Sequence, residues 1–376
     1  MKICILILQV IILNLFSCDS GYPPPSENWS ATRIFRFDGI SIDQSINNIF
    51  LVNETTGFLL GDDRMKVKRA GGKTGDGSSL FFRSTDGGRT FEKQVLGKGI
   101  LKYISRSSDG KTFYMIQGVF NRPDDRKPSH FRVWKSSDTG RSWEELYLFE
   151  NKLLTKVLFY NDSIGFASVM QDRIGYDLPV LYRTDDGGKT WKPTGVDMDN
   201  KTMCLITSDG KLLGQYLEDI PAVWQTDVNG MNPEHIPLDI PQGLSINSLI
   251  QSDPLTGLHY CKLRTTPQDD ESGKEIEYRL ICLETGEIIR LPSPSYDFNV
   301  YGDFIGVRSA LKDNEFVAQY RYSYNKGRYW ETETPKNTLL SGMPGMYGKG
   351  CIWSMCSMEA DGIYYPLLVR IPPEEN

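Results

Sequence analysis

The 376-residue sequence predicts an all-β fold: a seven-bladed β-propeller of four-stranded antiparallel blades, with six blades as the alternative. Three observations predict it. One eight-residue pattern recurs along the chain, the copies stand about one blade apart, and each copy follows a short β-rich run. Repetition at a fixed period is typical of arrays in which each unit buries its apolar face against its neighbours. The composition, 39% hydrophobic and 24% charged, is that of an ordinary globular protein.

The recurring pattern begins as Ser-Thr-Asp-Gly-Gly-Arg-Thr-Phe at residue 84, and its key positions are Asp86, Asp138, Asp186 and, in a fourth copy, Asn325. It resembles the Asp box, the pattern called the bacterial neuraminidase repeat. An aspartate in a tight turn accepts hydrogen bonds from nearby backbone N–H groups, and the following aromatic residue packs over the hairpin. We therefore interpret the four key residues as structural staples and not as catalytic acids or calcium ligands.

The spacing of the pattern gives the number of hairpins. The three close copies are 52 and 48 residues apart, whereas Asp186 and Asn325 are 139 residues apart, close to three periods. Two altered copies should lie between them, and Asp227 and Glu284 occupy the expected places. Six hairpins result.

The two ends of the chain are expected to close the ring. After the fourth copy, strand-like runs around residues 338–341, 350–356 and 363–371 are one strand short of a blade. The run at residues 33–37 could supply the missing strand. Such closure leaves no free sheet edge. The completed terminal blade, added to the six hairpins, gives the prediction of seven blades.

A longer sequence pattern recurs in two of the repeats. A hydrophobic strand at residues 49–53 leads to Gly57-Phe58, and residues 157–161 lead in the same way to Gly165-Phe166. This arrangement resembles the photosystem II stability/assembly factor family over residues 46–196, and sialidase propellers share the boxes more distantly. The first resemblance implies a seven-bladed scaffold that binds another protein.

The N-terminus is typical of an export signal, with Lys2 ahead of an apolar stretch. Residues 15–18 resemble a bacterial lipobox, so we expect lipidation of Cys18 and anchoring to a bacterial membrane from the periplasm. The alternative is a plain secretory signal cut near Ser20 or Gly21. The expected divisions are a signal peptide at 1–18, a flexible tether at 19–30 and a single propeller domain at 31–376.

The charge and the cysteine pattern exclude several classes of site. A net charge of -6 and a pI near 5.3 argue against nucleic-acid binding, which needs clustered Lys and Arg. No cysteine or histidine has zinc-site spacing, and we expect no metal and no cofactor. Cys261 and Cys282 lie on two strand-like runs. They are either paired across a hairpin or buried as apolar residues.

The binding surface is predicted from the loops. In a four-stranded blade the box turns join the third and fourth strands, so the loops joining the second and third strands emerge on the opposite rim. Several of these loops are long, as binding loops on a rigid scaffold often are. The rim should be basic near blades 1 and 2 and acidic near blade 5, through Asp269, Asp270 and Glu271. The candidate binding residues are Arg64, Lys66, Lys68, Arg69, Lys73, Arg122, Arg126, Lys127, Arg173 and Tyr176.

These features predict an exported, lipid-anchored, monomeric propeller that binds another protein and is not an enzyme. A scaffold, an assembly factor or a toxin-neutralising immunity protein would fit. The alternative is a sialidase-like glycoside hydrolase, because Arg64 and Asp76 fall where an arginine and the acid/base of that family would lie. The sequence offers no Tyr-Glu pair to complete such a site.

Overall fold

In the computed structural model the chain is an all-β propeller, which confirms the predicted fold class. Six antiparallel blades follow one another between Ser45 and Glu333, as in the six-blade alternative, and the strands of each blade pair in sequence order. The structure describes residues 32–34, 45–53, 55–88, 90–125, 127–170, 179–216, 220–230, 232–248, 250–253, 255–265, 276–311, 314–333, 345–346, 352–360 and 363–370.

Blades 1 to 3 cover the part of the chain with the three close copies of the pattern. Each has four strands, and contacts between the first strands of neighbouring blades place those strands innermost. The strands are Ser45–Leu51, Gly57–Asp62, Ser78–Ser84 and Glu92–Lys98 in blade 1, Ile100–Arg106, Phe113–Val119, His130–Ser136 and Glu144–Phe149 in blade 2, and Leu153–Phe159, Gly165–Met170, Pro179–Thr184 and Lys192–Asp197 in blade 3.

Blades 4 to 6 continue the same order. Blade 5 differs because two short segments, Leu244–Ile246 and Gln251–Ser252, both pair with its next strand. The remaining strands are Lys201–Ile206, Leu212–Tyr216, Ala222–Thr226 and Glu234–Pro237 in blade 4, His259–Thr265, Tyr278–Cys282 and Ile288–Leu291 in blade 5, and Asp297–Tyr301, Phe304–Leu311, Asn314–Ser323 and Glu331–Glu333 in blade 6.

A further four-stranded sheet brings the two ends of the chain together. Its strands lie in the order Thr32–Ile34, Ile363–Arg370, Ile352–Ala360 and Gly345–Met346, all antiparallel. The N-terminal run therefore pairs with the C-terminal strands, as the sequence analysis expected for ring closure. This sheet contacts the first strand of blade 1 and is additional to the six consecutive blades.

Helical structure within the described residues includes a short α-helix, Arg64–Arg69, and a 3-10 turn, Thr74–Asp76, both in the loop between the second and third strands of blade 1. Neither these nor any other described helix is long and apolar enough to cross a bilayer.

Aromatic residues pack between neighbouring blades at the first two junctions. Trp143, the last residue of the blade 2 copy, packs edge-on against Phe81 of blade 1 with ring centroids 5.0 Å apart. The ring centroids of Trp191 in blade 3 and Phe149 in blade 2 lie 5.7 Å apart. Buried aromatic pairs in these geometries stabilise a core beyond the area that they bury. The aromatic residues that end the blade 2 and blade 3 copies thus join neighbouring blades.

The turns that join the third and fourth strands share one hydrogen-bond arrangement, and we call those at residues 84–91, 136–143, 184–191 and 323–330 the repeated turns. In the third, Asp186 Oδ1 accepts the Thr190 amide at 2.9 Å, and Oδ2 accepts the Thr190 hydroxyl at 2.6 Å. The Thr184 hydroxyl donates to Asp186 and accepts the Gly188 amide, both at 2.8 Å. Asp86 and Asp138 accept equivalent bonds from Thr90 and Ser142.

The fourth repeated turn keeps the arrangement with an amide in place of the carboxylate. Asn325 Oδ1 accepts the Ser323 hydroxyl and the Tyr329 amide, both at 2.9 Å. The altered copies also occupy third-to-fourth turns: Asp227 Oδ1 accepts the Asn229 amide at 2.9 Å, and Glu284 accepts the amide of His259 at 2.9 Å. All six predicted hairpins are therefore present where the spacing placed them.

Turns between third and fourth strands also bond to the preceding blade. The Arg83 guanidinium in blade 1 donates to the Thr139 carbonyl of the blade 2 turn at 2.8 Å, and Arg183 in blade 3 donates to the Val228 carbonyl of the blade 4 turn at 2.6 Å. An arginine placed just before one turn thus satisfies a backbone carbonyl of the next. The segments that form these turns therefore also make the contacts between blades.

Cys261 and Cys282 are free thiols and do not pair. In the ladder Cys261 lies opposite Ile281, and Cys282 lies opposite Tyr260. Adjacent positions of paired strands point to opposite faces of a sheet, so the two thiols lie in different core clusters. The hypothesis of a disulfide between them is wrong, and both are buried apolar residues.

In two of the repeated turns the hydrogen bonds of the turn lower the pKa of the carboxyl group. At Asp138 burial opposes ionisation, but bonds from the Ser142 hydroxyl and amide and from Ser136 outweigh it and lower the pKa to about 2. Bonds from the Thr190 hydroxyl and amide likewise hold the pKa of Asp186 well below its ordinary range. A carboxyl group whose folded pKa is lowered adds stability that is present above its unfolded pKa and is lost as pH falls through the folded value.

We expect Asp186→Ala to destabilise the protein by about 1 to 2 kcal/mol at pH 7, because it leaves turn donors without an acceptor. Asp186→Asn should destabilise the protein less, because Asn325 shows that an amide oxygen can accept the same hydrogen bonds. The gap in stability between wild type and Asp186→Asn should shrink as pH falls below about 4. Urea unfolding across this pH range measures both effects. An unfolding midpoint of Asp186→Ala equal to that of wild type at pH 7 would contradict the assignment.

Candidate functional site

The propeller has two different rims. The repeated turns lie beside the turns between first and second strands, because the Gly87 amide donates to Thr55 O and the Gly187 amide donates to Ser163 O, both at 2.8 Å. We call this end the turn rim. The loops between second and third strands emerge at the opposite end, which we call the loop rim.

The described candidate residues lie on the loop rim. Four of them, Arg64, Lys66, Lys68 and Arg69, fall in the helix Arg64–Arg69, and Lys73 follows it. The side chains of Lys68, Lys73, Arg122 and Lys127 are exposed. Three of the remaining candidates, Arg126, Arg173 and Tyr176, lie outside the described residues, as do the side chains of Lys66 and Arg69.

The loops of blades 1 and 2 are joined to each other. The Gly75 amide donates to Pro123 O at 2.8 Å, and the Lys73 ammonium contacts Asp124 Oδ2 at 2.8 Å. A Cβ atom on Gly75 would lie 2.8 Å from the Arg122 carbonyl oxygen and 2.8 Å from Pro123 Cα, so only glycine permits this approach. The two loops thus present one continuous surface.

Arg64 is held at the inner side of this surface. Its Nε and Nη2 atoms donate to the two carboxylate oxygens of Asp62 at 2.8 and 3.0 Å, and Asn47 donates to the same carboxylate at 2.8 Å. Asp62 is fully buried, and a buried carboxylate requires such partners. The guanidinium is therefore fixed in position by a paired charge.

Lys102 adds a cation next to Arg64. It lies at the bulge in the first strand of blade 2, with its Nζ 5.3 Å from the ring centroid of Phe131. Partial burial lowers the pKa of Lys102, and the nearby charges of Arg64 and Lys127 lower it further. Three cations thus converge where the loops meet the innermost strands.

A cleft of about 340 Å³ opens between the two joined loops. Lys98 and Asp76 line it and form an ion pair at 2.7 Å, and Arg132 lies 3.3 Å from Glu145 at its edge. Phe120 and Pro123 supply apolar walls. The cleft can accept a side chain that has both an apolar part and a charged group.

Ion pairs neutralise part of the basic charge predicted here. Lys73, Lys98 and Arg64 each contact a carboxylate. In the described part of the chain, no carboxylate lies within ion-pair distance of Lys68, Lys102, Arg122 or Lys127. Among the described residues near blades 1 and 2, Lys68, Lys102, Arg122 and Lys127 thus remain as cations with no paired carboxylate.

The two residues of the sialidase-like alternative are already engaged. The hydrogen bond from Lys98 holds the pKa of Asp76 below its ordinary value. Arg64 is occupied by Asp62. Among the described residues there is no group of three side chains that could hold a metal ion.

Near blade 5 the described strands are basic, in contrast to the acidic loop predicted there. Lys262 lies close enough to Asp297, Arg264 and Arg308 for their charges to act on it, and Arg308 pairs with Asp297 at 2.6 Å. The acidic loop residues Asp269, Asp270 and Glu271 lie outside the described residues. Sequence reasoning concentrated on loops and missed these strand cations, although the alternation of Lys262, Leu263 and Arg264 before a polar loop was a usable signal.

No protein-family model matches the chain, and no curated protein matches it in sequence. Solved structures match its fold at low identity. YCF48 bound to a D1 peptide is 11% identical with a TM-score of 0.53, over 94% of this chain and 100% of that chain. The propeller domain of the Trilobed protease from Pyrococcus furiosus, described as having an open velcro topology, is 8% identical with a TM-score of 0.55, over 89% and 95%. Oligogalacturonate lyase from Vibrio parahaemolyticus is 10% identical with a TM-score of 0.57, over 90% and 93%. These likenesses show the propeller fold alone, since they include both enzymes and a peptide-binding protein.

We expect Gly75→Ala to separate the two loops, because the added methyl group meets backbone of the blade 2 loop. Amides in residues 62–77 and 121–129 should then exchange about fivefold faster, since one lost hydrogen bond is worth about 1 kcal/mol. Hydrogen exchange read by mass spectrometry measures this.

Gly71→Ala is the matched control. It lies in the same loop at a φ of 82°, and a Cβ there meets nothing within 4 Å, so its strain should stay near the helix. Unchanged exchange in residues 121–129 of the Gly75→Ala variant would contradict the coupling of the loops.

Proposed function

We propose that this chain is an exported, lipid-anchored β-propeller that binds another protein through its loop rim, as a scaffold, an assembly factor or a toxin-neutralising immunity-type protein. The observation that carries the proposal is the joined loop surface of blades 1 and 2, around which four cations have no carboxylate within ion-pair distance among the described residues. In this proposal the repeated turns are Asp boxes that act only as structural staples.

The charge on the loop rim favours an acidic partner surface. Lys68, Arg122 and Lys127 are exposed, and the nearby Lys102 is partly desolvated and close to Arg64. Complementary charge steers association and selects partners more than it adds raw affinity. The overall net charge is -6, so this local group of cations is opposite in sign to the charge of the molecule as a whole.

The fold comparison supports the same class of function. YCF48, which shares the propeller fold, is bound to a D1 peptide in its structure. At 11% identity this likeness carries no residue across to the present chain. It supports the proposal that a propeller of this kind can bind a peptide.

We propose that the chain is not a glycosidase. A carboxyl group that acts as an acid near neutral pH needs a raised pKa, whereas that of Asp76 is lowered by Lys98. Arg64 would have to leave the buried carboxylate of Asp62 to bind a substrate anion, which would leave that carboxylate poorly paired.

Export and anchoring are proposed from the N-terminal sequence, which lies outside the described residues. Residues 1–18 would act as the signal, Cys18 would be acylated, and residues 19–30 would tether the propeller on the periplasmic side of a bacterial membrane. A monomer tethered in this way keeps its loop rim free for a partner.

The partner-binding proposal predicts that reversing charge on the loop rim abolishes capture. The triple variant Lys68→Glu, Arg122→Glu and Lys127→Glu should lose at least 90% of the partner retained by wild type from native envelope extract, because like charges would face the acidic surface. Quantitative pull-down with the chain lacking residues 1–20 measures this.

The matched control applies the same change of charge to the turn rim, through Lys111→Glu, Arg141→Glu and Lys189→Glu, and should retain the partner. Equal loss in both triple variants, or release of the fluorophore from a fluorogenic sialoside by wild type, would contradict the proposed function.

The anchoring proposal predicts that Cys18→Ser moves the protein from the membrane pellet to the soluble periplasmic fraction, since no acyl chains can then be attached. Cell fractionation with mass spectrometry of the mature N-terminus measures both location and modification. Cys4→Ser, which lies within the leader, is the matched control and should remain anchored. An unmodified Cys18 in wild-type protein would contradict lipidation.

A further inference from the structure

The cleft between the joined loops of blades 1 and 2 has the size of a site for one large side chain. Its volume is about 340 Å³, near the lower end of the roughly 300 to 1,000 Å³ that sites for small molecules enclose. Every residue that lines it lies in the described part of the chain. The apolar side is formed by Val119, Phe120 and Pro123, and the polar side includes Asp76, Lys98 and Arg132.

The two blades are tied together next to the cleft. Gln117, two residues before Val119 in the same strand, is fully buried. Its side-chain amide donates to Ser79 Oγ at 2.8 Å and to Leu96 O at 2.9 Å, both in blade 1. Its Oε1 accepts the indole N–H of Trp134 at 3.0 Å. The cleft is therefore held in shape before anything binds, which lowers the entropy cost of binding.

The charges on the cleft walls are balanced. Lys98 Nζ pairs with Asp76 Oδ1 at 2.7 Å, and Arg132 Nε lies 3.3 Å from Glu145 Oε2. A charged side chain that entered the cleft would compete with one of these pairs. A side chain without net charge leaves both pairs intact, so the balance favours an uncharged occupant.

The apolar wall favours an aromatic ring. Val119 and Phe120 are half-buried, whereas residues 113–118 of the same strand are buried. A ring that packs on Phe120 buries apolar area and gains the further attraction of an aromatic pair. Lys98 and Arg132 can add their hydrocarbon stems and the attraction of a cation for a ring face. Tryptophan and tyrosine suit this cleft best, because their polar group can stay at the open mouth.

The loops that border the cleft favour acidic residues on either side of that ring. Residues 62–77 contain five Lys and Arg against three Asp, and residues 121–130 contain three against two. These counts cover both loops completely. The loop residues whose side chains are not described include no carboxylate: Met65, Lys66, Arg69, Thr74 and Arg126. Complementary charge around an uncharged cleft selects a segment in which acidic residues flank one aromatic residue.

We propose that the cleft receives a tryptophan or tyrosine side chain from an acidic segment of the protein partner. The ring packs on Phe120 between the two ion pairs, and the flanking carboxylates face the cations of the two loops. Buried aromatic anchors of this kind carry a large share of the energy of protein interfaces. This inference rests on the proposed function, because it names the anchor residue of the same partner at the same surface.

The test compares two fluorescein-labelled peptides, Glu-Glu-Trp-Glu-Glu and Glu-Glu-Ala-Glu-Glu, whose binding to the mature chain is followed by fluorescence anisotropy. Wild type should bind the tryptophan peptide about tenfold more tightly than the alanine peptide, because only the first fills the cleft. Phe120→Ala should reduce this preference to about twofold or less while leaving the affinity for the alanine peptide unchanged. Unchanged binding of the alanine peptide shows that the variant is folded.

Two control variants remove exposed apolar side chains elsewhere. Val95, 60% exposed, lies on the outer strand of blade 1 outside the cleft, and Tyr329, 66% exposed, lies on the turn rim. Val95→Ala and Tyr329→Ala should keep the full preference for the tryptophan peptide.

Four results would overturn the inference. Wild type could bind the two peptides equally or bind neither, or Phe120→Ala could keep the full preference. The preference could also be lost in Tyr329→Ala, which would place the ring on the turn rim. The last is tighter binding of a labelled dT12 oligonucleotide that Phe120→Ala abolishes, which would make the cleft a platform for a nucleic-acid base.

Failure of this inference is distinct from failure of the proposed function. If the native partner is captured and is lost on charge reversal of Lys68, Arg122 and Lys127, but the tryptophan peptide has no advantage, the surface binds its partner through charge and the inference falls. If the cleft prefers the tryptophan peptide but the charge-reversed variant still captures the partner, the cleft stands as a binding site and the wider proposal falls.

Discussion

The structure depends on one local interaction, the hydrogen bonding of a turn carboxylate to the backbone and hydroxyl group four residues later. At Asp86, Asp138 and Asp186 this interaction fixes the path from the third strand to the fourth. A fixed path presents the turn carbonyls to the preceding blade, where Arg83 and other polar side chains bond to them. The same few atoms thus define the hairpin locally and set the spacing between blades, which aromatic packing then fills.

This constraint divides the molecule between two rims. Segments of the turn rim are committed to hydrogen bonds within and between blades, so they have little freedom to change. The described loops of the loop rim, in blades 1 and 2, carry no such repeated bonds, so loops at this end can differ between blades without disturbing the ring. Its order comes from individual contacts, such as that between Gly75 and Pro123 and the ion pair of Lys73 with Asp124. A surface of this kind can be adapted to one partner while the scaffold stays the same.

Much of the fold could be predicted because its causes are local. The staple residues, the six hairpins and the pairing of the N-terminal run with the C-terminal strands follow from short patterns and their spacing. The site could be predicted only in part. That Lys73 faces Asp124, and that the buried Lys262 donates to the Tyr296 carbonyl, are long-range facts of packing. The register that places Cys261 and Cys282 on opposite faces depends on a one-residue offset that composition does not reveal.

The central claim is that the rim opposite the staples is the one that binds a protein. Hydroxyl-radical footprinting of the chain, free and in complex with its captured partner, tests it most directly because it reports both rims in one measurement. The account predicts protection in residues 62–77 and 121–130, and unchanged labelling of the repeated turns at 136–143 and 184–191. Protection concentrated on the repeated turns, with the loops as reactive as in the free chain, would contradict it.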